Sequence, residues 1–112
     1  MSLPTNDQIV VLMTAANADE ATRIAEMLVE RKLAACVQIL PPMTSIYVWK
    51  SEVQRDNETL LIAKSIRAKF DELEAAVRAI HSYETPEIIA LPILAGSPDY
   101  LSWLSSCLAE GS

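Results

Sequence analysis

The order of apolar and polar positions along the chain predicts alternating strands and helices. DQIVVLMTA, residues 7 to 15, is rich in β-formers and apolar at consecutive positions, as in a central strand covered on its faces. A helix follows: Asn17 caps it with Glu20 three positions on, Ala21, Ile24, Ala25 and Leu28 share one face, and Arg31 and Lys32 suit its negative end. Ala34 to Leu40 forms a second strand that Pro41 and Pro42 bend or interrupt. SIYVWK resumes the extended pattern, KSEVQRDNE supplies a polar tip, and TLLIAKSI returns as a strand, making a long hairpin. Phe70, Leu73, Val77 and Ile80 stripe a second helix that ends about where His81 begins. EIIALPI is the last strand, at a sheet edge because Pro92 cannot donate to a ladder. Ser97, Pro98 and Asp99 open a final helix carrying Tyr100, Leu101, Trp103, Leu104 and Leu108.

The order β-α-β-β-α-β plus a terminal helix predicts an α+β, ferredoxin-like sandwich with one helical layer on an antiparallel sheet. At 112 residues, with 51% hydrophobic and 21% charged residues, the chain fits one folded domain over residues 1–112. Its second extended stretch, Ala34 to Lys50, would reach about 55 Å if straight, against about 22 Å for a helix of the length of Ala18 to Lys32. Ile46, Tyr47, Val48 and Trp49 therefore lie past the helical cover, apolar on both faces of the strand. Pairing of this ribbon among sister chains in a closed ring predicts an obligate oligomer. The alternative is a terminal helix folded back over the ribbon within one chain.

A formal charge of −6 repels phosphate backbones and anionic headgroups, which argues against nucleic acid and membrane partners. The leading MSLPTNDQ has no basic region followed by an apolar run, no window reaches the length of a membrane span, and a cytoplasmic protein is expected. Cys36 and Cys107 form no CxxC pair and read as reduced, buried thiols.

LAACVQILPPMTSIYVWKSEVQRDNETLLIAKS, HSYETPEIIALPI and SPDYLSW together resemble the CutA divalent-cation-tolerance family, in order and spacing, from about Val10 to Leu104. The resemblance implies a ferredoxin-like subunit, an intertwined homotrimer joined by strand pairing, and likeness to the trimeric PII signalling proteins. It also implies tolerance to copper and other divalent cations, with copper binding, and it brings no enzyme activity. Members often read H-P-Y-E-x-P at the histidine block, where this chain keeps His81, Tyr83, Glu84 and Pro86 but has Ser82 for the proline. Some carry a cysteine where Met13 stands, so metal binding through that thiol does not transfer.

The residues themselves leave several chemistries open. His81 and Glu84, three apart, can converge on one ion, and imidazole with carboxylate suits copper or zinc, with Cys36 as a candidate soft ligand for copper(I). The competing reading makes His81 a hydrogen-bonded structural corner. Tyr47, Trp49, Lys64, Tyr83 and Glu87 predict an apolar-walled cleft between subunits, with Lys64 inviting a small anionic metabolite; alternatively Lys64 snorkels at the sheet edge. Phosphate loops, HExxH and GxSxG are absent from the sequence, and a His81–Glu84 acid/base pair has no nucleophile or anion hole beside it, so no enzyme is expected.

Overall fold

A computed structural model describes residues 7–109 of the chain. The leading MSLPTN, part of the stretch read above as free of a signal segment, lies outside the described residues. Strand β1 (Gln8–Ala15) runs through the middle of the sheet, antiparallel to β4 (Glu52–Ile66) on one side and β5 (Ile88–Pro92) on the other. Strand β2 (Cys36–Ile39) adds to the far side of β4, which gives the order β2-β4-β1-β5. The described residues thus form a mixed α+β architecture, an antiparallel sheet with three α-helices.

The pleat assigns the faces. Ile9, Val11, Met13 and Ala15 of β1, with Leu61, Ala63 and Ser65 of β4, point to one side, where they are buried under α1 (Ala18–Glu30) and α2 (Phe70–Ile80). Ile24, Leu28, Leu73 and Val77 complete that core from the helices, at the spacing their stripes predict. Helix α1 starts as its sequence directs: the Asn17 side chain accepts from the Glu20 amide at 2.8 Å.

Helix α3 (Pro98–Leu108) departs from the single helical layer expected above. It bonds to Gln8, whose amide nitrogen donates to Ser105 Oγ at 3.0 Å, and Tyr100 meets Cys36, so α3 lies over the opposite face of the sheet. A five-stranded sheet has two apolar faces in its body, and Val10 and Leu12 on this second face are half-buried. Ser97 occupies the N-cap position of α3 but makes no side-chain cap bond.

The hairpin is longer and its tip shorter than expected. Strand β3 (Met43–Trp49) pairs with the first half of β4 from Met43↔Glu58 to Trp49↔Glu52, leaving Lys50 and Ser51 alone as the turn. Both have positive φ, 50° and 67°, as a two-residue type I′ turn requires. The polar run from Glu52 to Glu58 is therefore strand, not loop. In a two-stranded ribbon the faces lack a core to mark them, so polarity there specifies the pairing only weakly. The arm stretches the molecule to 53 × 25 × 24 Å.

Candidate functional site

The arm leaves the body where β1 ends, and the loop joining α2 to β5 fills the angle between them. Directly paired residues share a face, so Tyr47 and Trp49 of β3 stand on the same side of the arm as Asp56 and Glu58 of β4. That side looks onto Tyr83, Glu84 and Glu87 of the loop, and a cavity of about 450 Å³ lies between them, with Thr14 at its inner end. The other side of the arm carries Ile46, Val48 and Val53, each more than half exposed. The expectation of an arm apolar on both faces gives way to one apolar face and one aromatic, acidic face.

The loop is fastened by two residues. His81 Nε2 lies 2.7 Å from the Thr14 carbonyl oxygen, and the Tyr83 amide donates to His81 Nδ1 at 3.0 Å. A carbonyl only accepts and an amide only donates, so the geometry assigns the neutral ring with its proton on Nε2. Glu20 is the second fastener. Its Oε1 accepts from the Ala16 amide at 2.9 Å and its Oε2 from the Ser82 amide at 2.8 Å, tying the first turn of α1 to the distant loop. Only 4% of Glu20 is exposed. Burial pushes its carboxyl upward, but the Ala16 amide and the Ser82 hydroxyl and amide more than offset this, and the net shift is downward. A proline at position 82 has no N–H to give, so this backbone bond requires a non-proline residue there, as Ser82 is in this chain.

Inside the cavity the tyrosines lean on the acids. The Tyr47 hydroxyl donates to Asp56, and this bond, followed by burial and the Asp56 charge, raises the phenol above its usual range. Tyr83 is raised strongly, first by burial and then by its hydrogen bond to Glu58 and the surrounding acids. Its ring also packs on His81 with centroids 4.9 Å apart.

The structure thus gathers Tyr47, Trp49, Tyr83, Glu84 and Glu87 of the expected site residues in one cleft, with His81 behind it. It leaves Lys64 and Cys36 elsewhere. Lys64 pairs with Cys36 in the β2–β4 ladder and donates to the Gln38 side-chain oxygen, four residues along β4 from Leu60, which pairs with Thr14. Cys36 of β2 and Cys107 of α3 are free, half-buried thiols near Tyr100. Among the described residues no three His, Cys, Asp or Glu side chains converge to hold a metal ion. Asp56, Glu58 and Glu20 were not among the expected site residues. The alternation of the arm offered a signal for the first two, since Tyr47, Trp49, Asp56 and Glu58 share a face once the turn is placed at Lys50–Ser51.

The antiparallel sheet with helices on both faces and a projecting arm defines an α+β class that solved structures share. The chain superposes on CutA1 from Oryza sativa with a TM-score of 0.89 at 43% identity, covering 94% of this chain and 96% of that one. It superposes on the periplasmic divalent cation tolerance protein CutA from Archaeoglobus fulgidus with a TM-score of 0.88 at 38% identity, covering 91% and 99%. In sequence it is 50% identical over 95 residues to the divalent-cation tolerance protein CutA of Thermus thermophilus, covering 85% of this chain and 92% of that protein. It is 46% identical over 98 residues to the CutA homolog of Xenopus laevis, of which it spans 65%, covering 88% of this chain. Residues 9–107 match the CutA1 divalent ion tolerance protein family, and the chain belongs to that family. No helix among the described residues is long and apolar enough to cross a membrane.

Proposed function

We propose that the protein is a single-domain, ferredoxin-like subunit of a PII-like homotrimer that serves in the response to divalent cations by binding them, copper first, without catalysis. The observation that carries the ion-binding part is the posture of His81. A metal-ligating histidine commonly gives its other ring N–H to a backbone carbonyl, and His81 Nε2–H is so placed on Thr14. Nδ1 then faces the loop that carries Glu84, with only a local bond to the Tyr83 amide to exchange. His81 and Glu84 alone fall short of the three or four protein ligands of a closed copper or zinc centre, and Cys36 lies too far along the sheet to join them. The ion is accordingly cargo at an open site, completed by water or by a second copy. Copper titration of the protein and of His81→Ala tests this: wild type binding at least about tenfold tighter supports it, and equal affinity removes His81 from the site.

The homotrimer is supported by what one chain leaves uncovered. Val48 and Val53 of the arm are 68% and 67% exposed and Leu94 beyond β5 is 90% exposed, while β2 and β5 present outer edges. Strand pairing between copies covers such edges and apolar faces together. Light scattering should return about three times the 12.3 kDa chain mass. The two free thiols fit a reducing, cytoplasmic location. A signalling role with a small anionic metabolite draws on the same cleft, but it needs Lys64 of a second copy to supply the positive charge.

A further inference from the structure

The cleft at the foot of the arm has a composition of which the metal reading uses Glu84 alone. Four acidic side chains line it, Asp56 and Glu58 from β4 and Glu84 and Glu87 from the loop, and no lysine, arginine or histidine lies among its lining residues. Glu58 is only 9% exposed, and the partner it has is the neutral hydroxyl of Tyr83. Yet no three of these acids converge on a point where an ion could be chelated. Negative charge is spread over the two elements that frame a cavity of about 450 Å³, a volume suited to a small organic molecule rather than to a bare ion. Trp49, Tyr47 and Tyr83 supply the remaining wall, and aromatic faces attract ammonium and guanidinium groups.

We propose that this cleft is a receptor for small aliphatic organic cations, with ammonium or guanidinium groups placed against Asp56 and Glu58 at one wall and Glu84 and Glu87 at the other, and the alkyl chain between Trp49 and the tyrosines. A carboxylate that already accepts one tyrosine bond keeps lone pairs for a charged donor, so the Tyr47–Asp56 and Tyr83–Glu58 bonds orient the acids without consuming them. The net charge of −6 also favours a cation over an anion at the approach. This goes beyond the divalent-ion role and is independent of His81 as a ligand.

The test is calorimetric titration of the metal-free, fully assembled protein with 1,4-diaminobutane, with succinate and 1,4-butanediol as the anionic and neutral molecules of the same chain length. Saturable binding of the diamine, weakening as salt rises, with none for the other two, is the expected result. Glu87→Gln and Glu84→Gln, both at exposed positions, should each weaken the diamine about tenfold, as should Trp49→Leu, while Trp103→Leu on α3 leaves it unchanged. Absence of diamine binding, preference for succinate, or diamine binding that survives all three cleft substitutions would overturn the proposal. Because metal is excluded, this outcome and that of the copper titration are read separately.

Discussion

The two halves of β4 share one backbone and differ in everything that surrounds it. From Thr59 to Ile66 the strand lies between β1 and β2, and every second residue, Thr59, Leu61, Ala63 and Ser65, is buried under the helices. From Glu52 to Asn57 it has β3 alone for a neighbour, and of these residues only Gln54 is even half-buried. In the body half alternation separates core from a second covered face. In the arm half it separates an apolar face, Val53 paired directly with Val48, from the aromatic, acidic face that looks onto the cleft. One half of the strand holds the subunit together, and the other divides its two sides between the face proposed for assembly and the face that lines the cleft.

Breaking the body half should have the largest effect. Leu61→Ala removes a fully buried side chain from the centre of the core and should destabilise by about 2–5 kcal/mol, read by denaturant unfolding at matched chain concentration. Glu20→Gln, at the junction of body and loop, should follow with about 1–3 kcal/mol. The folded carboxyl of Glu20 lies below its ordinary 4.5, so its contribution is complete above that pH and disappears as pH falls through the lower folded value. Acidification should therefore narrow the gap between wild type and Glu20→Gln, and a gap that widened toward acid would remove Glu20 from this role.

The arm should respond differently. Ser51→Gly relieves one positive φ at the tip and should raise stability by up to about 1 kcal/mol, sharpening the hairpin without touching the body. Val48→Lys with Val53→Lys, on the apolar face, should change the folding energy of the subunit itself by no more than about 0.5 kcal/mol. The same pair should lower the particle mass in light scattering, since charge then faces the surface proposed to bury against sister chains. Loss of subunit structure with no change in mass would show that this face serves the fold instead.

How far each feature could be read beforehand follows the same division. The strands and helices of the body, the Asn17 cap and the edge position of β5 were recoverable because each has one buried face, a capping residue or a proline to mark it. The arm was recognised from Ile46 to Trp49 but its tip was drawn too long, over residues 50–58, because Lys50 and Ser51 lack the glycine or asparagine that usually announces such a turn. Tyr47, Trp49, Tyr83 and Glu87, expected together, line one cavity, and Glu84, expected with the metal ligands, joins them, whereas Lys64, chosen as a lysine inside an apolar strand, is carried by the ladder to the β2 side.

The sequence by itself determined the class of the fold, the family, the existence of an exposed arm and the prominence of His81 and its loop, since these follow from local periodicity and from motif order. Only the tertiary structure decided that α3 crosses to the second face of the sheet, that Glu20 reaches 62 positions along the chain to the Ser82 amide, and that the cleft is acidic. Strand register joins residues that no local pattern connects. The sign of a cavity's charge depends on which side chains that register aims inward.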